Sequence, residues 1–337
     1  MKRPHLLPML AVAALAVCTT GPRLAPARAS EATYNISMNW FPEPEHGGFY
    51  YAEHMGLWKK YGINTTVREF SFAIGNTITQ LLLPGKASFV MANADEVLQQ
   101  RAKGAKIVAI MDTFQTNPQG FVYHAEDTRI HSVADFSNHD VIFSFGAGYW
   151  PYLLQKYHYA NIKTRSYDFT SRAFALDPKA VNQCYVTSEP YRWGQQGIKL
   201  KYVLIADSGY NPYSEVIVTT EDLVKNHPDQ VKAFVKGAIE GWTSYLKDPM
   251  ATNAYMRSAP GAKNSPLKPD EQGFSYSQIK KLGLVAGGDA RTHGIGYQSE
   301  ARWKTLQQQM VGVGQKVGSV DVTQAYTNQF VPAMGAM

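Results

Sequence analysis

From Tyr34 to Phe114 the chain alternates short apolar runs with helix-like runs, and this rhythm restricts the fold more than any other feature of the sequence. YNISMNW (34–40) places Tyr34, Ile36 and Met38 on one face and predicts a strand. HGGFYYAEHMGLWKKYG predicts the helix after it, closed by Gly62. NTTVREFSF, SFVMAN and KIVAIMDTF predict further strands, and NTITQLLLPG and ADEVLQQRAKG predict the helices between them. Parallel neighbours need a crossover and a helix supplies it, so the repetition predicts an open, mostly parallel sheet.

A Pro-, Gly- and His-containing connection at 117–131 interrupts the rhythm, and a second α/β run begins. DVIFSF, QCYVTSE and KYVLIAD predict strands, with SVADF, YWPYLLQKYHY and PYRWGQQG as helical pieces. After SGYNPY, SEVIVTTEDLV leads into a mostly helical remainder. There Val231, Phe234, Val235, Ile239 and Trp242 recur at helix spacing. Two crossovers, near 118–125 and 208–216, predict a middle domain inserted into a discontinuous first one. Lobe 1 is expected over 30–118 and 214–337, and lobe 2 over 119–213. Such lobes set strand ends and helix N-termini on both sides of one cleft, the usual geometry for hinge closure over a ligand.

The N-terminus bears on the compartment. Lys2 and Arg3 precede an apolar run, Leu6 to Val17, too short to span a bilayer, and Ala27-Arg28-Ala29 supplies an A-x-A cleavage signal. Residues 1–29 are expected to be a secretory signal peptide. A lipoprotein reading through Cys18 is the weaker one, because Val17 is larger than such sites want. Cleavage removes Lys2, Arg3, Arg23 and Arg28, four of the +6, and leaves +2, which gives no support for nucleic-acid binding. Only Cys184 then remains, so no internal disulfide is expected. With 337 residues and 45% hydrophobic content, two packed domains supply the stability.

No catalytic or metal signature stands out. The nine histidines are scattered without an H-E-x-x-H, and no G-x-S-x-G, P-loop or G-x-G-x-x-G occurs. Neither a metal nor a cofactor is expected. Cys184 lies in an apolar strand as an inert thiol. SFGAGYW (144–150) is a strand-to-helix turn in which Gly146 and Gly148 expose backbone N–H groups, as either an anion site or a plain helix entry.

Binding equipment does accumulate at the predicted strand ends. The loops 39–45, 93–96, 115–119, 146–150 and 185–191 hold Trp40, Phe41, Tyr149, Trp150, Tyr185 and Tyr191, with Glu43, Glu45, Asp95, Glu96 and Glu189, and no lysine or arginine. Oxyanions favour arginine forks, so this set argues against nitrate, phosphate or sulfonate. Carboxylates beside aromatic faces suit a flat ring bearing amino donors or a cationic centre. Each aromatic taken alone reads better as core, and only the set on predicted loops points to a ligand.

NWFPEPEHGGFYYAEHMGLWKKYGI, LLPGKASFVMANADEVLQQRAKG, CYVTSEPY and HPDQVKAFVKGAIEGWTSYLKDP resemble the NMT1/THI5-like group, with the likeness covering nearly all of 32–335. The resemblance implies an α/β, two-lobed type II periplasmic binding protein fold with the cleft between the lobes. It also implies a periplasmic receptor that delivers a small molecule to an ABC permease, acts as a monomer and binds no nucleic acid. The fungal-type pyrimidine synthase of the group uses a lysine, a histidine and a cysteine-rich run. These positions fall here on Ala92, Glu96 and the cysteine-free GYNPYSEV, so a non-enzyme is expected. In pyrimidine binders of the group an aromatic matching Trp40 stacks on the ring. A tyrosine and a glutamate matching Tyr185 and Glu189 hold the aminopyrimidine. The expected ligand is a thiamine-type pyrimidine precursor, with riboflavin, another nucleobase-like ring, or a sulfonate, taurine or nitrate as alternatives. Glu189 is expected to meet the ring's polar edge, to cap the helix beginning at Pro190, or both. Asn39, His46, Asn93, Gln115, Gly146, Gly148 and Tyr149 complete the expected contacts.

Overall fold

The computed structural model describes Met1, 32–68 and 78–335. The expected signal peptide, Cys18, and the 69–77 portion of the second predicted strand and helix lie outside the described residues. The described residues form two five-stranded sheets. In order across the first run β2 (Ile63–Arg68), β1 (Ala32–Ser37), β3 (Phe89–Ala92), β10 (Val216–Thr220) and β4 (Ile107–Met111). The second runs β7 (Lys163–Ser166), β6 (Asp140–Phe143), β8 (Ala180–Tyr185), β5 (Gln119–His124) and β9 (Leu200–Leu204).

Each sheet has parallel pairs, β1 with β2 and β3 in one and β6 with β7 and β8 in the other. One antiparallel strand sits fourth in each order, β10 against β3 and β4, and β5 against β8 and β9. These two are the strands entered directly after the chain passes between sheets, at 112–118 and 205–215. A chain that leaves one sheet at the strand C-termini and enters the other at the same edge must run against its neighbours. The crossings touch at an antiparallel bridge between Phe114 and Ser214.

Two strands depart from the sequence expectation. The connection read at 117–131 contains β5, whose Gly120 lies where a Cβ would meet the Val203 carbonyl oxygen at 2.4 Å. Glycine there answers a close backbone approach, although in sequence it reads as a loop signal. The edge strand β7, KTRS, is exposed throughout and so carries no apolar alternation. The helix expected after β1 is two pieces, Gly47–His54 and Leu57–Lys60, broken at Gly56 with φ +66°.

The long helix Pro228–Tyr245 buries the predicted Val231, Phe234, Val235, Ile239 and Trp242. Phe234 stacks on Phe89 of β3 at 3.8 Å between ring centroids, and its carbonyl accepts from the Trp58 indole N–H at 3.0 Å. Helix Gly47–His54 lies against this helix through glycines on both sides. A Cβ on Gly241 would fall 2.1 Å from the Gly48 carbonyl oxygen, and one on Gly48 2.2 Å from the Trp242 ring. This contact fixes the position of the chain just upstream, residues 39–46.

Gly241→Ala is expected to destabilise the protein by roughly 1–3 kcal/mol, because the atom it meets is backbone and cannot rotate away. Gly273→Ala, on an exposed helical position with open space around it, is expected to stabilise by roughly 0.5–1 kcal/mol. Chemical denaturation of the two variants checks both signs, and equal effects would contradict the packing described.

Candidate functional site

At the strand ends of the two sheets a cavity is lined by Asn39, Trp40 and Glu43 from the loop after β1 and by Glu215 at the entry to β10. From the other sheet come Tyr167 and Phe169 after β7, Gln183 to Tyr185 of β8, and Ser188, Glu189 and Arg192 beyond it. The cavity has a volume of about 190 Å³, and part of it opens to solvent.

The aromatic wall joins both sheets. Trp40 lies 5.7 Å from Phe169 between ring centroids at 30°, and Phe169 lies 4.9 Å from Tyr167. Glu189 begins the helix Glu189–Gly194, but its carboxylate turns back: Oε2 accepts from the Tyr185 N–H at 2.8 Å and Oε1 from the Tyr167 hydroxyl at 3.3 Å. It thereby joins the ends of β7 and β8 and keeps acceptor capacity on both oxygens. Gln183 is held by the Ser144 N–H and the Tyr149 hydroxyl, each 2.8 Å from its Oε1.

On the first sheet a relay sets the polar face. His46 is fully buried, and burial lowers its pKa to about 3, so the ring is neutral. Its Nε2 lies 3.1 Å from Asn39 Oδ1, and the Asn39 amide donates to Glu215 Oε1 at 3.3 Å. With the proton placed on Nε2, the amide is oriented so that its NH2 faces the carboxyl. Burial pushes the Glu215 carboxyl up to about 8, with the Glu45 charge adding to the rise. Burial likewise pushes Glu45 up to about 7, and Glu43 rises well above the ordinary range through burial and its neighbour Glu45. Arg192 is the one base of the lining, and it already pairs with Glu271.

Of the residues singled out in the sequence, Asn39, Trp40, Glu43, Tyr185 and Glu189 line this cavity. His46 and Tyr149 stand behind it and position Asn39 and Gln183. Asn93 caps the helix Ala94–Ala102 and accepts from the Ser214 hydroxyl at 3.1 Å. Gln115 lines a different, polar cavity beside the crossings, where its amide donates to Asp112 at 2.9 Å and to the Tyr297 carbonyl at 2.8 Å. Gly146 and Gly148 are not among the lining residues, and a Cβ on Gly148 would meet Asp95 Oδ2 at 2.6 Å. Trp150 packs in the core of the second sheet and Tyr191 against Phe274.

Sequence reasoning missed Tyr167, Phe169, Gln183, Arg192 and Glu215. Tyr167 and Phe169 follow the unrecognised β7, and Arg192 stands one residue beyond the loop considered. The strand-end loops hold no base, but the cavity does, in Arg192. Cys184 also lines it, and burial pushes its thiol well up, which leaves it a poor nucleophile.

Two sheets joined by paired crossings, with a cavity at their strand ends, define the periplasmic-binding-protein fold. Similar solved structures share it. The alkanesulfonate-binding protein SsuA from Xanthomonas axonopodis pv. citri has a TM-score of 0.61 at 13% identity, over 89% of this chain and 100% of that one. The desulfurization enzyme DSZB has a TM-score of 0.58 at 12% identity, over 88% and 97%. The NMT1/THI5-like family model matches residues 43–252, and the chain belongs to that family. The riboflavin-binding protein RibY of Chloroflexus aurantiacus is 25% identical over 325 residues, 92% of this chain and 90% of RibY.

The raised carboxyls set a pH dependence. Glu45 and Glu215 hold protons in the folded protein that the unfolded chain has released above its ordinary value of 4.5. The folded state thus binds more protons, and stability falls as pH rises through 7 to 8. His46 acts oppositely, but only below its ordinary value of 6.5. Melting temperature is therefore expected to fall between pH 6.5 and 8, and Glu215→Gln to melt above wild type at pH 8. Melts of both proteins across that window check this, and a rising wild-type curve would contradict it.

Proposed function

We propose that this protein is the periplasmic receptor of an ABC importer and captures a small amino-substituted heteroaromatic, a thiamine-type pyrimidine precursor in the first instance. The observation carrying this reading is the cavity's composition. Trp40, Phe169 and Tyr185 offer ring faces, while Glu43, Glu189 and Glu215 offer acceptors against one arginine that is already paired. An aminopyrimidine has an exocyclic amino donor beside a ring nitrogen and two faces to stack, and a carboxyl can accept from the amino group while the aromatics meet the faces. The same composition disfavours a sulfonate, despite the shared fold with SsuA, because the one arginine of the lining is already paired with Glu271, whereas oxyanions favour free arginine forks. The protein would act as a monomer, reach the periplasm through the segment 1–29 and hand its ligand to the permease subunits. Among the described residues no helix is long and apolar enough to cross a membrane.

Riboflavin is the second reading, favoured by the likeness to RibY along nearly the whole chain. Its fused ring would use the same aromatic wall, and its hydroxylated side chain could donate to the carboxylates.

A thermal-shift screen of the chain from residue 30 onward, with hydroxymethyl- and aminomethyl-pyrimidines, thiamine, riboflavin, cytosine, taurine, an alkanesulfonate and nitrate, tests the reading, since a bound ligand raises the melting temperature by mass action. A shift with the aminopyrimidines is expected, whereas one with riboflavin alone would favour the second reading. Shifts only with sulfonate or nitrate would overturn both. Glu189→Gln is expected to weaken aminopyrimidine binding by roughly 1.5–3 kcal/mol, the scale of a charge-assisted hydrogen bond. Trp40→Ala, on a loop, is expected to lose affinity in titration calorimetry while its melting temperature stays near wild type.

A further inference from the structure

Among the described residues five non-glycine positions have positive φ: Asn138, His158, Asn161, Phe169 and Glu215. Asparagine and histidine adopt this region comparatively often, whereas phenylalanine and glutamate do so only under backbone strain. The two residues without that tolerance are the two that line the cavity. Phe169 is exposed and reaches Trp40. Glu215 is only 2% exposed, with φ +62°, at the last residue before β10.

The left-handed turn places Glu215 at the cavity instead of in the ladder of β10. Its Oε1 is occupied by Asn39, and its Oε2 is buried with no hydrogen-bond partner among the described residues. A buried carboxyl oxygen left unpaired costs stability, and a ligand donor would relieve that cost. We propose that Glu215 contacts the ligand directly and selects rings that present N–H donors. The proposal rests on the aminopyrimidine reading and assigns the recognising oxygen to the crossing, in addition to Glu189 on the second sheet.

The surroundings determine what accompanies binding. Glu43 and Glu45 face Glu215 from the first loop, Asp112 from the end of β4, and Tyr185, Glu189 and Arg192 from the second sheet. Burial, with the Glu45 and Asp112 charges adding to it, keeps the Glu215 carboxyl largely protonated at neutral pH without ligand. A ligand N–H in hydrogen-bond contact with Oε2 favours the carboxylate, and the carboxyl proton passes to the buffer. Affinity for a donor edge therefore rises with pH through about 8. An acceptor edge would instead receive the carboxyl's own proton, and its affinity would fall over the same interval.

The test is calorimetric titration of the full mature chain with the hydroxymethyl aminopyrimidine, at several pH values from 6.5 to 8.5 and in two buffers of different ionisation enthalpy. Wild type is expected to release protons at pH 7 and to bind more tightly as pH rises. Glu215→Gln, which keeps shape and volume, is expected to bind at least tenfold more weakly at pH 8 and to lose the proton release. Its melting curve shows whether it is folded. If it is not, Asn39→Ala supplies the second variant, expected to change the pH at which affinity rises. Wild-type binding with an unchanged Glu215→Gln affinity and pH profile would overturn the assignment while leaving the aminopyrimidine reading intact. Affinity that falls with rising pH would also overturn it, by indicating an acceptor edge. Absence of any aminopyrimidine binding by wild type would overturn the underlying reading and this assignment with it.

Discussion

Ser214 is fully buried where the returning crossing meets both sheets, and its contacts reach each of them. Its carbonyl accepts from the Phe114 N–H on the outgoing crossing at 3.1 Å. Its hydroxyl donates to Asn93 at the end of β3 and lies 3.4 Å from the Tyr185 hydroxyl at the end of β8. One small side chain thus ties the two crossings to each other and to a strand end of either sheet. Arg302 holds the same pair from outside, donating to the Gln115 carbonyl on one crossing and to the Asn211 and Pro212 carbonyls on the other. The cavity lining is only a few residues from these contacts, so its geometry depends on them.

Next to Ser214 the chain buries carboxyls that water would otherwise solvate. Glu43, Glu45 and Glu215 lie buried within the same region, and Glu215 Oε2 has no hydrogen-bond partner among the described residues. Three acids buried together cannot all ionise without repulsion, so the cavity holds protons at neutral pH. Such an arrangement is costly for stability and useful for recognition, since a donor-rich ligand replaces the missing partner. The glycine contact between Gly48 and Gly241 keeps the loop bearing Glu43 and Glu45 in place despite that cost.

Much of this could be read in the sequence where the signal is local. The apolar periods of β1, β3 and β4 and of the helix Pro228–Tyr245 are visible because one face of each packs on a core. Trp40 and Tyr185 were legible as strand-end aromatics. β5 was not, because Gly120 and Pro118 carry loop signals while the strand they belong to is made by pairing on both sides. β7 is exposed and polar, so nothing in its composition marks it, and Tyr167 and Phe169 went unnoticed with it.

What the sequence by itself determined is the alternation of strands and helices and a supply of aromatics and acids at strand ends. Those follow from periodicity and turn chemistry, which act over a few residues. Tertiary structure alone decided which of them share a cavity. It set Gln115 and Asn93 apart from Trp40, turned His46 and Tyr149 into supports, and brought in Arg192 and Glu215. It also fixed the charge state of the acids, because a carboxyl's ionisation depends on burial and on neighbours such as Glu45 and Glu215, which are 170 positions apart in the chain and adjacent only once the crossing has returned.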